Sequence, residues 1–287
     1  MPRLSFIIPC YNGARLLENV LAGIVGQSAG TADVEVLLVD NNSDTDSIEQ
    51  VYRDFRDLLT ITLVQQPRLN HPFALSRARN TALRLVAGEW ISSIDADCIP
   101  CPDFLRSIYA AIDQAGNRPL MFTGERVFIS ADKLTKSDLI DEPSTLLHLP
   151  NVPSVSNYYL AKDRRLPAMK QLPNVEHPWA YMHGGNILYR TIDAQLVRGH
   201  DERFDGTWGY EDADFAYRMI VEASCEPRYL SGMTVYHQEP LVGSPATQID
   251  KFDKRNNANW NRICETIPGF RTFKIEQYGR LGVNVSI

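Results

Sequence analysis

Three groups of acidic residues stand at spacings that suit metal-assisted transfer chemistry. Asp95 and Asp97 lie two residues apart after an apolar segment, Asp40 ends another such segment, and Glu211 and Asp212 are adjacent. Carboxylate oxygens are the hard ligands that Mg²⁺ or Mn²⁺ prefers, and a carboxylate can also serve as a general base. Taken alone, a D-x-D pair is a weak signal, because two such aspartates more often cap a turn, so the elements around it matter.

Short β-branched segments alternate with helical patterns over the first hundred residues. This alternation is typical of repeated βαβ units and a mainly parallel sheet flanked by helices. The pattern predicts strands at Leu4–Pro9, Val34–Asp40, Thr60–Gln65 and Trp90–Asp95, and helices at Ala14–Gln27, Ser47–Leu58 and Leu75–Ala87. Because ligands of such sheets bind beyond the carboxyl ends of the strands, the polar residues after the strands are candidates for a site.

The pattern after Pro100 is less regular. Residues Pro143–Pro178 are rich in proline and lack a clear period, so long loops are expected there; a substrate-covering role and disorder both remain open. Further elements are predicted as a strand at Asn186–Arg190, a helix at Glu211–Ala223, a strand at Arg228–His237 and a helix near Gln248–Cys264.

Composition limits the classes of function. The chain has 287 residues, of which 44% are hydrophobic and 22% charged, enough for a full core in one large domain or two fused lobes. A formal net charge of -6 argues against nucleic acid as a partner, because binding a phosphate backbone requires a basic face.

The apolar run at the start of the chain is too short for a signal peptide, and no later segment reaches membrane-spanning length. Five scattered cysteines do not suit a secreted disulfide framework. A cytoplasmic protein with reduced thiols is therefore expected. Cys98 and Cys101 form a C-x-x-C, for which packing is favoured over a redox or metal role.

The chain has neither a G-x-x-x-x-G-K-[ST] loop nor a G-x-G-x-x-G fingerprint, so a P-loop or dinucleotide site is not indicated. Four other motifs follow one another along the chain, and their order resembles that in the inverting glycosyltransferases of family 2, which have the GT-A fold. The matching segments are Phe6–Asn12, Val39–Asp44, Ala78–Asn80 followed by Ala87–Glu89, and Asp95–Asp97. Four ordered motifs are far more specific than any one of them.

The second half resembles the catalytic region of galactosyltransferases and chondroitin polymerases. The segments that carry this likeness are Gly184–Asn186, Phe204–Asp214 and Met233–His237. Tyr210 stands where relatives often have a second glycine, which bears on the choice of acceptor.

These resemblances imply roles for individual residues. The nucleotide sugar would be bound by residues from both halves, namely Pro9, Tyr11, Asn12, Asp40, Arg79, Asp95, Gly185 and Trp208. Asp97 and His237 would hold Mn²⁺ or Mg²⁺. Asp212 would be the general base, and Glu211 would contact hydroxyls of the donor or acceptor.

The implied architecture is one GT-A domain over residues 1–287, with a nucleotide-sugar-binding half at 1–100 and an acceptor-binding, catalytic half at 101–287. The implied reaction is transfer of a hexose or N-acetylhexosamine from a UDP-sugar to a hydroxyl of a glycan, lipid-linked sugar, small molecule or peptide. A nucleotidyltransferase and an inactive sugar-nucleotide or carbohydrate-binding protein are the alternatives. The intact set Asp95, Asp97, Asp212 and His237 favours an enzyme, since a binding module needs no base.

Overall fold

A mainly parallel sheet with helices packed on both faces forms the centre of the structure, a computed structural model. It describes residues 2–45, 47–67, 74–130, 134–154, 157–239, 254 and 256–283. The strands are β1 (Leu4–Cys10), β2 (Val34–Asp40), β3 (Ile61–Gln65), β4 (Trp90–Ile94), β5 (Cys98–Pro100), β6 (Leu120–Thr123), β7 (Arg126–Ser130), β8 (Asn186–Arg190), β9 (Glu226–Tyr229) and β10 (Val235–Glu239). The helices are α1 (Ala14–Val25), α2 (Ile48–Phe55), α3 (Leu75–Leu83), α4 (Phe104–Ala115), α5 (Lys136–Asp141), α6 (Leu166–Met169), α7 (Thr191–Leu196), α8 (Glu211–Val221), α9 (Ala258–Thr266) and α10 (Phe270–Arg280).

Within the described residues, the central sheet has the strand order β3-β2-β1-β4-β8-β6-β9. The four strands β1 to β4 pair in parallel, as the βαβ pattern predicts. β8 then pairs antiparallel with both β4 and β6, so the sheet is mixed at this point. β8 begins more than ninety residues after the end of β4. Its pairing with β4 joins the two halves of the sequence in one sheet.

Alternation along β1 divides the core between the two faces of this sheet. Leu4, Phe6 and Ile8 pack on the face covered by α1, α2 and α4, whereas Ile7 packs on the face covered by α3, α8, α9 and α10. All seven residues of β1 are buried, which is expected for a central parallel strand. The predicted α/β fold class is thereby confirmed.

One predicted strand is wrong. The segment Arg228–His237 does not form a single strand: β9 ends at Tyr229 and pairs with β6, and β10 begins at Val235 and pairs with β5 and β7 in a second, three-stranded sheet. A turn around Gly232 separates them. A Cβ on Gly232 would lie 1.9 Å from Ser107 Oγ, so the backbone passes too close to α4 for any other residue.

The proline-rich stretch Pro143–Pro178 is less irregular than its sequence suggests. It contains a 3₁₀ helix at Pro143–His148 and the short α6, and a second 3₁₀ helix, Pro178–Tyr181, begins at its end. Met169, Leu172 and Trp179 are buried in the core under α10. The spacing of these apolar residues follows neither a helical nor a strand period, so the sequence pattern does not indicate that they are buried. Only the tertiary structure shows it. Of the predicted helix near Gln248–Cys264, the structure shows α9 from Ala258; residues 248–253 lie outside the described part of the chain.

Candidate active site

A cleft of about 510 Å³ opens at the carboxyl ends of β1 and β4 and is bounded also by α8 and α10. Most of the residues predicted for the site line it, and they are Pro9, Tyr11, Asn12, Arg79, Asp95, Asp97, Gly185, Trp208, Glu211 and Asp212. Residues from positions separated by two hundred places in the sequence thus face one space. Asp40 and His237 are not among the residues that line it.

The turns after β1 and β2 are tied together by Asn12. Its side-chain oxygen accepts hydrogen bonds from the backbone N–H groups of Asp44 and Thr45 at 3.0 and 3.1 Å, and its Nδ2 donates to Asp44 Oδ1 at 3.0 Å. Asn12 adopts the left-handed conformation with φ 55°, which asparagine tolerates better than most residues. Its role is to shape the rim on which the exposed ring of Tyr11 lies.

Asp40 stands behind this rim. Its Oδ1 accepts hydrogen bonds from the backbone N–H and the hydroxyl of Ser43 at 2.9 and 2.6 Å. Asp40 is 5% exposed, so its carboxylate shapes the turn after β2. Any contact with a nucleotide would be additional to that role.

Arg79 of α3 lies at the centre of the charges in the cleft. Its Nη2 donates to Asp95 Oδ1 and its Nη1 to Glu211 Oε1, both at 3.2 Å, and the side chain is 2% exposed. Burial lowers the pKa of Arg79, but Asp95, Glu211 and Asp212 together raise it above its ordinary value. Arg79 therefore remains charged and holds one carboxylate from each half of the sequence.

The backbone under these carboxylates requires glycine. A Cβ on Gly185 would lie 2.2 Å from Asp95 Oδ2, and a Cβ on Gly184 would lie 2.8 Å from Arg79 Nη2. The pair allows β8 to pass directly beneath the D-x-D and Arg79. The N–H of Gly184 also donates to Asp212 Oδ2 at 3.2 Å and so helps to orient that side chain.

Glu211 and Asp212 are presented by the first turn of α8. Tyr210 at its N-cap has φ 75°, a left-handed conformation that costs more for a tyrosine than for the glycine often found there. Burial, followed by repulsion from Asp212, raises the pKa of Glu211 to about 7, although Arg79 opposes the shift. Asp212 is more accessible than Glu211 and directs one oxygen into the cleft wall at Gly184. A carboxylate with a raised pKa inside a cleft is common where acid–base chemistry takes place.

The predicted metal ligands lie close together at the edge of the cleft. His237 Nε2 is 3.5 Å from Asp97 Oδ2, and His237 Nδ1 is 2.8 Å from Glu239 Oε1. A carboxylate behind a histidine is the usual arrangement that orients the other ring nitrogen toward a cation. Asp97, Cys98 and His237 have possible ligand atoms within 4.8 Å of one another. Burial raises the pKa of the Cys98 thiol, so Asp97 and His237 are the better donors.

Several lining residues were not anticipated from the sequence. Arg126 of β7 lies beside the D-x-D, and its Nε has no hydrogen-bond partner within the described residues. Arg164, Lys254 and Lys274 form the opposite wall with Tyr158 and Tyr278. They fall outside the recognised motifs, and no local pattern distinguishes them from surface cations.

α9 holds the loop that carries Trp208. Asn259 Nδ2 donates to the carbonyl oxygens of Phe204, Thr207 and Gly209 at 2.6, 2.9 and 3.0 Å, and Asn257 Nδ2 donates to Trp208 O at 3.1 Å. Asn259 is buried. The indole is therefore positioned by a helix fifty residues later in the chain.

The sequence profile of glycosyl transferase family 2 matches residues 5–190, which include the first two strands' turns, the D-x-D and the glycine pair. The chain belongs to this family. None of the helices in the described part of this family 2 protein is both long and apolar enough to cross a membrane.

Among its relatives is a chondroitin synthase of Escherichia coli, 30% identical over 248 residues that cover 83% of this chain and 35% of the synthase. This family 2 chain therefore spans about a third of that relative. Two solved structures share the fold. Staphylococcus aureus TarS 1-349 in complex with UDP-GlcNAc has a TM-score of 0.59 and 19% identity, covering 87% of this chain and 61% of that one. The mannosyltransferase PcManGT from Pyrobaculum calidifontis in complex with GDP-Man and Mn²⁺ has a TM-score of 0.53 and 19% identity, covering 84% and 58%.

Proposed function

We propose that this chain is a metal-dependent inverting glycosyltransferase that moves a hexose or N-acetylhexosamine from a UDP-sugar to an acceptor hydroxyl. One observation carries the proposal: Arg79 joins Asp95, at the end of β4, to Glu211, at the start of α8, within a single cleft. The D-x-D and the acidic pair that contains the candidate base thus line one cleft. Complexes of fold relatives with UDP-GlcNAc and with GDP-Man and Mn²⁺ support the donor class and the cation.

The donor set at the edge of the cleft fits Mn²⁺ or Mg²⁺. Asp97 offers a carboxylate and His237 a ring nitrogen, with Glu239 against the other nitrogen of the ring. Such a cation would offset the negative charge that grows on the departing diphosphate. Pro9, Tyr11 and Asn12 would contact the nucleotide at the neighbouring rim, and Trp208 would stack on a sugar ring.

The acceptor hydroxyl must lose its proton as it attacks the anomeric carbon. Asp212 is the proposed base, because its carboxylate lines the cleft and is oriented by the N–H of Gly184. Glu211, held by Arg79, would contact substrate hydroxyls. Attack from the side opposite the leaving diphosphate inverts the anomeric centre, so an α-linked donor would yield a β-linked product.

Asp212→Asn tests the base directly. The amide keeps the shape of the side chain but cannot take a proton at neutral pH, so transfer should fall by at least about a hundredfold. UDP affinity in the presence of Mn²⁺ should stay within a few-fold of the parent. The measurement is single-turnover transfer from a panel of nucleotide sugars with Mn²⁺, each repeated after EDTA treatment.

Asp57→Asn is the matched control, since its side chain is 88% exposed and remote from the cleft, and it should transfer at the parent rate. Transfer by Asp212→Asn within a few-fold of the parent would remove Asp212 as the base. A parent protein that neither binds nor turns over any nucleotide sugar would overturn the proposed function itself, and full activity after EDTA would overturn its metal dependence.

A further inference from the structure

The wall of the cleft opposite the D-x-D carries three cations. Arg164 comes from the loop before α6, Lys254 lies just before α9, and Lys274 lies on α10; all three line the cleft. Lys254 is 3% exposed and Lys274 is 9% exposed. Burying a lysine is costly unless an anion or a well-placed acceptor compensates its charge, so the burial of Lys274 in this wall calls for an explanation.

Aromatic rings hold these cations in place. Arg164 Cζ lies 4.5 Å from the ring centroid of Tyr158, and Lys254 Nζ lies 5.4 Å from that of Tyr210. The ring of Tyr158 in turn contacts that of Tyr278 edge to face, with ring centroids 6.0 Å apart. The charged groups of Arg164 and Lys254 thus lie over aromatic rings among the residues that line the cleft.

Lys274 has no anion at contact distance among the residues that the structure describes. Lys274 Nζ has the neutral amide oxygen of Gln277 at 3.0 Å, and no carboxylate forms an ion pair with it or with Arg164 among the described residues. Arg164 Nε lacks a hydrogen-bond partner there as well. Burial, together with Arg164 and Lys254, lowers the pKa of Lys274 to about 7, and Asp212 only partly opposes this. The wall therefore presents Lys274 and Arg164 without a carboxylate at contact distance among the described residues.

The donor phosphates do not account for this charge. They would lie at Asp97 and His237, where Arg126 is already available, and the carboxylates that act on Arg126 are Asp95, Asp163 and Asp97. The carboxylate that acts on Lys274 is Asp212, the proposed base. Because the base must touch the acceptor hydroxyl, cations beyond it face the acceptor rather than the leaving group.

We propose, building on the proposed function, that the acceptor bears an anionic group, a carboxylate or a phosphate, close to the hydroxyl that receives the sugar. Lys274 and Arg164 bind this group, and Lys254 lies beside it against Trp208 and Tyr210. The wall thereby selects acidic acceptors over neutral ones.

A matched series of acceptors tests the selection. Methyl glycosides of a hexose, of the corresponding hexuronic acid and of the hexose 6-phosphate differ mainly in charge and are offered at saturating donor and Mn²⁺. We expect KM for at least one acidic acceptor to be about tenfold or more below that of the neutral one, the scale of one charge-assisted hydrogen bond. The two acidic arms distinguish carboxylate from phosphate.

Lys274→Met and Arg164→Gln should each raise KM for the acidic acceptor about tenfold or more and leave KM for the neutral acceptor within twofold. Lys274→Arg should recover most of the preference. Lys170→Met is the control, because Lys170 is exposed and lies outside the lining residues, and it should change neither value. UDP titration with Mn²⁺ verifies that each variant retains a folded donor site.

Equal KM values for acidic and neutral acceptors in an active parent would overturn the acceptor proposal and leave the proposed function standing. A second result would also overturn the acceptor proposal: the parent uses only a uronic-acid donor, and Lys274→Met raises the KM for that donor. The wall would then bind the donor sugar. Absence of turnover with every donor would instead count against the proposed function.

Discussion

Glu211 is the residue whose protonation is most sensitive to its surroundings. Its ordinary pKa of 4.5 is raised to about 7 by burial and by the charge of Asp212, against the opposing effect of Arg79. Below about pH 7 Glu211 holds a proton and Arg79 loses the anionic partner that joins it to α8.

We therefore predict that single-turnover transfer rises with pH through an apparent pKa near 7. The raised pKa means that the ionised form, which pairs with Arg79, is complete only above that value. In Glu211→Gln the rise of the transfer rate near pH 7 should disappear. The rate at high pH should fall about tenfold or more, since a charge-assisted hydrogen bond is lost. The pH–rate profile with Mn²⁺ and donor held saturating is the measurement.

Glu222→Gln is the control at the opposite end of α8, where the side chain is exposed, and its profile should match that of the parent. An unchanged rise near pH 7 in Glu211→Gln would show that another group causes it. The same shift affects stability with a defined sign: the contribution of Glu211 favours the fold at acid pH and is lost as pH rises through about 7.

Among the secondary-structure elements, α9 holds in place the loop that carries Trp208, residues 204–210. The loop contains Gly206 and Gly209 with φ 96° and 94°, conformations that the local sequence permits but does not enforce. Asn259 and Asn257 bind four of its carbonyl groups. The position of Trp208 therefore depends on a helix that contributes no side chain of its own to the cleft lining.

Asn259→Asp should destabilise the protein by about 2 kcal/mol or more, because it removes a buried donor and places a carboxylate against three carbonyl oxygens. Cleavage by protease within residues 204–210 should become faster, and sugar-dependent binding should weaken more than UDP binding. Urea denaturation and limited proteolysis measure these effects.

Asn261→Asp makes the same chemical change on the exposed side of α9 and should alter stability by less than about 0.5 kcal/mol. If Asn259→Asp behaved like Asn261→Asp, α9 would not be required to hold the loop.

In the whole molecule, the two halves of the sequence contribute strands to one sheet. β4 pairs with β8 from Trp90↔Arg190 to Ile94↔Asn186. Across the same boundary, Asp205 accepts hydrogen bonds from the N–H groups of Ser76 and Arg77 at 2.9 and 3.1 Å, at the start of α3. The helix that carries Arg79 is thus capped by a carboxylate from the second half.

We predict that the chain unfolds in a single cooperative transition and that residues 1–100 do not fold alone, because an isolated first half exposes β4 and the apolar side of α3. Circular dichroism and tryptophan fluorescence should follow one urea curve. Two separated transitions, or a protease-resistant fragment of about the first hundred residues, would show instead two independent halves.

The sequence alone determined the features that depend on local order. Period-two and period-3.6 patterns placed β1 to β4 and α1 to α3, because each element is specified by residues adjacent in the chain. The D-x-D followed from its position at a strand end, and the glycine pair, Trp208 and the acidic pair followed from resemblance. The structure places all of these along one cleft, with Asp40 and His237 at its margin. Their roles in catalysis remain predictions.

Only the tertiary structure decided which charges meet. Arg79 and Glu211 are 132 positions apart, and Asn259 contacts carbonyl groups 50 to 55 positions earlier. Arg126, Arg164, Lys254 and Lys274 are indistinguishable in sequence from solvated cations, because burial beside a carboxylate or a ring is a property of the packed chain. The break between β9 and β10 also depends on tertiary packing. Gly232 turns the backbone where Ser107 of α4 leaves no room for a side chain, and Ser107 is far from Gly232 in the sequence.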